Sequence, residues 1–401
     1  MPDCLLPPRR PKPADLPAPD PAAQATSDRL LRLIRSEISQ AGGSILFDRF
    51  MELALYAPGL GYYVAGSRKF GEAGDFITAP EVSPLFAQCL ARQASDVLER
   101  VTGGDILEFG AGSGVLAADL LQELARLGTL PARYQIMEVS PELRDRQREH
   151  LARRVPDLLP RVRWLERLPA SFSGLVLANE LLDAMPVSRF RIGADGVEES
   201  FVTLDAAGLR EVFATPISPG LIEAVQGIET RLGPLAPGYI SEINLRLAPW
   251  VKMLAQVMHK GAVLLIDYGY PLSEYYHPQR HSGTLMCHYR HRAHMDPFRW
   301  VGLQDITSHV DFSTLAKAAC LAGFELAGYT TQAHFLLACG LDDLVSASDP
   351  GDLTRHLQLV QGVKHLTLPS EMGERFKVLG LVKDSQSELA GFKLQNLQNR
   401  L

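Results

Sequence analysis

Cysteine is scarce in this chain: five residues in 401, at positions 4, 89, 287, 320 and 339, with no Cys-x-x-Cys pair. That excludes a disulfide framework and a thiolate zinc finger, and it suits a reducing compartment. Long apolar runs are missing too. Stretches such as Ala262–Ile266 are far too short for a transmembrane helix, so no membrane insertion is expected. Basic charge is not in excess, because 40 Lys and Arg stand against 46 Asp and Glu for a net charge of -6. That balance points away from nucleic acid as a partner. The N-terminus lacks the apolar core of a signal peptide, and Arg9, Arg10 and Lys12 are offset by Asp3, Asp15 and Asp20, unlike a mitochondrial transit peptide. A cytoplasmic, bacterial protein is therefore expected rather than one of the mitochondrial matrix. What is present is apolar residue enough, 46% of the chain, for a large core. An enzyme is the expected class.

The first residues carry eight prolines by Pro21 and almost no aliphatic pattern, so residues 1–26 read as a disordered tail. Ser27 is a plausible N-cap, with Leu30, Leu31, Ile34 and Ile38 following at helical spacing. Residues 27–103 read as a helical cap interrupted by a glycine-rich loop, which ends in Gly74-Asp75-Phe76-Ile77-Thr78-Ala79-Pro80. Loops of that length in compact domains usually bind or cover something, although a plain surface excursion is the alternative. From residue 105 short apolar runs alternate with helical stretches, which means βαβ units and a mostly parallel, doubly wound sheet. The expected core comprises 104–186 and 245–383. A β-rich insertion at 187–244 interrupts it, and 384–401 reads as a C-terminal tail.

The run Leu107-Glu108-Phe109-Gly110-Ala111-Gly112-Ser113-Gly114 stands at a strand end and opens a helix. Glycines there let the backbone turn sharply and approach a ligand closely. Glu138, ending the next strand, can accept hydrogen bonds from both hydroxyls of a ribose. A dinucleotide site favours Gly-x-Gly-x-x-Gly, whereas here the third glycine comes one residue early. Glu108 beside the turn gives nothing to a pyrophosphate but would attract a cation. S-adenosylmethionine (SAM), with its ammonium and sulfonium, fits better than a dinucleotide; a purely structural turn is the third reading.

Ligands of open α/β sheets bind outside the carboxyl ends of the strands. There the sequence offers Asn179-Glu180-Leu181-Leu182-Asp183 after one strand and Asp267-Tyr268-Gly269 after another. Asp183 could equally be a charge at a helix start. Carboxylates near a methyl donor suggest a basic acceptor, and an arginine guanidinium binds carboxylates bidentately. Glu180 and Asp267 are the candidates for gripping it, with Asn179 beside them. The chemistry would be in-line displacement at the sulfonium methyl by a guanidinium nitrogen, with positioning supplying most of the acceleration.

Five of the eleven histidines lie between His277 and His294, with Cys287 among them. The spacings match no compact zinc motif, and Arg280, Arg290 and Arg292 would repel a cation, so no metal is expected. A lid or substrate surface is the better reading. Downstream, His309 is either an acid/base group or a packed loop histidine.

Together these residues resemble the MidA-like family of SAM-dependent methyltransferases, over roughly residues 45–383. The resemblance is carried by Tyr62-Tyr63 with Phe70-Gly71-x-x-Gly74-Asp75-Phe76-x-Thr78, by Leu107–Gly114, and by Asn179-Glu180-x-x-Asp183-Ala184-x-Pro186. Asp267-Tyr268-Gly269, the Gln304–Phe312 run and Met372–Val378 complete it. It implies a class I methyltransferase sheet with a helical N-terminal cap. By the same resemblance Glu108, Gly110, Gly112, Gly114 and Glu138 hold SAM, while Gly74, Asp75 and Thr78 belong to the cap that closes over it. Mitochondrial members of the family are complex I assembly factors that symmetrically dimethylate an arginine of a core subunit. The expectation is therefore a protein substrate, possibly a complex I subunit homologue. The alternatives are a small-molecule methyltransferase and a SAM-binding assembly factor without turnover.

Overall fold

Alternating apolar runs and amphipathic helices build, in the computed structural model, a sheet whose strands are buried on both faces. The structure describes residues 16–65, 78–347, 353–385 and 388–401. The chain forms two compact units: 1–76 with 184–245 and 276–308, and 77–183 with 246–275 and 309–401.

The second unit carries strands β1 Asp105–Phe109, β2 Tyr134–Met137, β3 Val162–Leu165, β4 Phe172–Asn179, β5 Met258–Tyr270, β6 Glu325–Thr331 and β7 Phe376–Lys383. Their spatial order is β6-β7-β5-β4-β1-β2-β3. All pairings from β5 through to β3 are parallel, and β7 runs antiparallel to both β5 and β6. A two-residue strand, Val310–Asp311, joins the end of β5. Leu175–Ala178 and Ala262–Ile266 are at most 2% exposed, which is why both central strands read as unbroken apolar runs rather than alternating ones. Winding proceeds outward from β1 to β3 and then resumes on the other side at β4. The reversal leaves a crevice at the carboxyl ends of β1 and β4, where Gly110 and Glu180 lie.

Residues 388–401, for which the sequence suggests a tail, pack into this unit. Leu389 and Phe392 are buried in its core. The Phe392 ring lies across two glycines: a Cβ at Gly328 would stand 2.1 Å from its Cγ, and one at Gly380 would stand 2.4 Å from its Cε2. The two glycines leave a slot on β6 and β7 that composition alone does not reveal. Phe392→Ala should therefore cost about 3–5 kcal/mol in urea unfolding; a loss below about 1 kcal/mol would return the segment to a loosely held tail.

The first unit is antiparallel. Ser44–Leu46, Val197–Asp205, Ser188–Ile192 and Ile240–Ile243 form its main sheet in that order, with Gly208–Ala214 paired to Val197–Asp205. A smaller sheet joins Arg292–His294, Met286–Tyr289 and Asp305–Thr307. Leu30, Ile34 and Ile38 share an apolar core with Phe47, Phe50, Cys287 and Ile306. Residues 276–308, expected within the 245–383 core, thus fold with the insertion and the N-terminal helices. Arg189 ties this unit together from inside, bonding Glu242 at 3.1 Å and Glu211 at 2.5 Å.

The first helix begins earlier than its pattern suggests. It spans Pro21–Gln40, with Asp20 as N-cap accepting the Ala23 N–H at 2.9 Å. Ser27 is inside the helix and donates its hydroxyl to the Val301 carbonyl at 2.8 Å. A proline in the first helical position is favourable, because its missing N–H has no intrahelical partner there anyway. Proline counting alone therefore extends the tail about six residues too far.

Candidate active site

The turn after β1 is a left-handed backbone. Gly110, Gly112 and Gly114 have φ of 66°, 53° and 82°, which side-chain-bearing residues rarely adopt. Space is also short: a Cβ at Gly110 would meet Leu181 Cδ1 at 3.1 Å, and one at Gly114 would meet Gln147 Cα at 3.3 Å. The helix Val115–Leu127 follows directly.

Two carboxylates flank that turn. Glu108, within β1, is buried and accepts the Tyr134 hydroxyl at 2.9 Å. Burial pushes its carboxyl up to about 7; the Tyr134 hydrogen bond opposes this and the nearby Glu138 charge adds to it. Glu138, just past β2, accepts the Ser140 N–H at 3.0 Å and the Gln147 amide at 3.1 Å. Burial raises it as well, against those hydrogen bonds. Gln147 also donates to the Gly112 carbonyl at 3.0 Å and accepts the Trp164 indole N–H at 2.8 Å. One buried amide therefore joins Glu138, the glycine turn and β3. Val139, beside Glu138, is 67% exposed.

At the end of β4, Glu180 has φ of 51°, a strained conformation for a residue with a side chain. Its Oε1 accepts the Asn179 amide at 3.1 Å and the Ala79 N–H at 3.3 Å. Asp267 is used differently from the acceptor-gripping carboxylate expected. It is buried, Oδ2 accepts the N–H groups of Leu182 at 2.9 Å and Asp183 at 3.2 Å, and Oδ1 accepts that of Tyr268 at 2.9 Å. Burial, with Asp183 and Glu180 nearby, holds it well above the usual carboxylate range. This carboxyl braces the loop that carries Glu180. His309 stands at the end of β5, with its ring edge-on to Tyr268 and Tyr270 at 5.1 and 5.2 Å. Thr78 precedes the short helix Ala79–Val82 as its N-cap. Gly74 and Asp75 lie outside the described residues.

In the histidine-rich stretch, His294 Nδ1 accepts the Asp296 N–H at 3.2 Å, and burial lowers the His288 imidazole to about 4. Among the described residues, no cluster of His, Cys, Asp and Glu is arranged to hold a metal.

Sequence reading missed Tyr134, Gln147 and Trp164. Gln147 sits nine residues beyond Glu138 on a helix capped by Ser140, and only the fold turns it toward Gly112.

The sheet order with one antiparallel strand, the glycine turn and its two carboxylates define a class I methyltransferase. SAM fits these residues: the glycines admit a close ligand, buried Glu108 is met among the described residues by the neutral Tyr134 hydroxyl, and Glu138 is a second carboxylate just past β2. Residues 89–330 match a family described as "Putative S-adenosyl-L-methionine-dependent methyltransferase", and the chain belongs to that family. Over 90% of this chain and 86% of the relative, it is 31% identical to the mitochondrial protein arginine methyltransferase NDUFAF7 of Mus musculus. The zebrafish (Danio rerio) protein of the same name is 29% identical over 91% of this chain and 89% of its own length. A Burkholderia thailandensis crystal structure with bound S-adenosyl-homocysteine is 44% identical, covers 96% of this chain and 100% of its own, and superposes with a TM-score of 0.92.

Proposed function

We propose that this SAM-dependent methyltransferase transfers methyl groups to an arginine guanidinium of a protein, with a respiratory complex I subunit homologue as the first candidate. The observation that carries the reading is Glu180, a carboxylate held in a strained conformation at the end of β4, between the glycine turn and the end of β5. Strain retained at a strand end signals that the side chain is needed in that place. A guanidinium is planar and always charged, so a fixed carboxylate both binds and orients it. The relatives named as protein arginine methyltransferases support the same acceptor.

When bound, SAM supplies an electrophilic methyl group. Glu108 would balance its positive charge, Glu138 would take the ribose hydroxyls, and Gly110, Gly112 and Gly114 would admit it to the turn. Glu180, oriented by Asn179 and Ala79, holds the acceptor so that a guanidinium nitrogen faces the methyl. Asp267 keeps that loop in place, and His309 is the base for the departing proton. Thr78 caps the helix Ala79–Val82 beside Glu180, and the reaction takes place in the cytoplasm.

Incubation with methyl-labelled SAM and bacterial lysate tests this. A labelled protein band carrying methylarginine by mass spectrometry is the expected result. Label found only in small molecules would reject the protein acceptor, and label on lysine would reject arginine.

A further inference from the structure

The helix Pro141–Arg154 buries one stripe of residues four apart, Leu143, Gln147 and Leu151, and the middle member is an amide with no exposed surface. A leucine would continue that stripe, and a buried amide is costly unless its polar atoms are bonded. Here both ends are. Nε2 donates to the Gly112 carbonyl at 3.0 Å and to Glu138 Oε2 at 3.1 Å, and Oε1 accepts the Trp164 indole N–H at 2.8 Å.

Only one orientation of the amide satisfies these partners. The indole N–H can only donate, while a carbonyl and an ionised carboxylate can only accept. Turned over, the amide would set its oxygen against two acceptors and its nitrogen against a donor. Trp164 is therefore the lock on Gln147. Its own place is set by the pairing of β3 with β2, where it stands opposite Ile136, and Arg148 Cζ lies 4.8 Å from its ring centroid. The glycine turn is fitted to the same residue. Gly114 has φ of 82°, and a Cβ there would stand 3.3 Å from Gln147 Cα and 3.4 Å from its Cγ. The third glycine thus makes room for Gln147 as well as for the turn.

Glu138 is the group that this arrangement holds. The Ser140 N–H bonds Oε1 at 3.0 Å and the Gln147 amide bonds Oε2, so both oxygens are tethered and the plane of the carboxyl is set. Burial raises this carboxyl, and the two hydrogen bonds oppose the shift by favouring the charged form. The paired hydroxyls of a ribose meet a carboxylate best when it is already held in one orientation, because none of the binding energy is then spent on ordering it.

We infer that Gln147 is a positioning residue: held in one orientation by Trp164, its amide aims the Glu138 carboxylate and so gives the site its preference for a cofactor whose ribose carries both hydroxyls. The inference rests on the reading of Glu138 as the ribose acceptor.

Calorimetry of the full-length protein, with S-adenosylhomocysteine and its 2′-deoxy analogue as probes, tests this without needing the methyl acceptor. The wild type should prefer the complete ribose about thirtyfold, the size expected of a hydrogen bond to a charged group. Q147L, which makes the stripe apolar throughout, should reduce that preference to about threefold. W164F keeps an aromatic ring on β3 and removes the indole N–H. It should reduce the preference to about tenfold, with no further effect in the Q147L background. A residue that merely supports the fold weakens both probes alike and leaves their ratio unchanged. That result in Q147L, beside an E138Q variant that loses the preference, would overturn the inference and leave the ribose reading standing. Should Q147L fail to fold, a wild-type ratio in W164F would overturn it instead. A wild type that binds the two probes equally would reject Glu138 as the ribose acceptor and the inference with it, and this shows before any variant is compared.

Discussion

Glu180→Gln should leave SAM affinity within about threefold of wild type and lower methyl transfer by about a hundredfold or more. The substitution keeps shape and hydrogen-bonding capacity, so the Asn179 and Ala79 donors retain an oxygen to meet. What it removes is the charge that would hold a guanidinium, and a charge-assisted bidentate pair is about twice as strong as a neutral one. Single-turnover transfer and calorimetry separate the two effects; parallel loss of both would reassign Glu180 to the cofactor. Glu180→Gly supplies an independent check. Glycine adopts φ of 51° without steric cost, so that variant should match or exceed wild-type stability by up to about 1 kcal/mol while losing transfer. A destabilised, active E180G would mean that the strained residue serves the fold.

Glu108→Gln should weaken SAM binding by about 2 kcal/mol, roughly thirtyfold, and abolish part of its pH dependence. Burial holds this carboxyl near 7, and a cationic ligand requires it ionised. Wild-type affinity should therefore fall roughly tenfold between pH 8 and pH 6, as the proton that must be displaced becomes harder to remove. The E108Q variant shares every other titration, including that of the ligand ammonium, so the difference between the two profiles isolates Glu108. Folding stability runs the opposite way. A carboxyl raised on folding contributes destabilisation that is absent below its unfolded value, grows as pH rises, and is complete above about 7. Its size is on the order of 3 kcal/mol. E108Q should thus be more stable than wild type at pH 8 and lose that advantage near pH 4. Identical pH profiles for the two proteins would show that Glu108 does not meet the cation.

The glycine turn and the carboxylates beside it are legible in the sequence because they are close along the chain or tied to strand ends. Glu108 and the three glycines lie within seven residues, and Glu138 ends the next strand. Tyr134 and Gln147 were not legible: each meets its partner only through parallel packing of β1 on β2 or through the rotation of a helix. Asp267 shows a different limit. Its sequence position after an apolar strand matches a site carboxylate, but three backbone N–H groups occupy its oxygens, and no side-chain pattern reports where backbone donors converge.

The sequence by itself determined the strand-and-helix alternation, the glycine turn, the acidic residues at the carboxyl ends of the strands and the family, because periodicity and short-range motifs are local properties of the chain. The tertiary structure alone decided that 276–308 folds with the N-terminal helices, that Phe392 fills the slot over Gly328 and Gly380, and that the Ala79 N–H meets the Glu180 carboxylate. Those outcomes depend on which surfaces are complementary in space, and residues hundreds of positions apart carry no mutual mark in a single sequence.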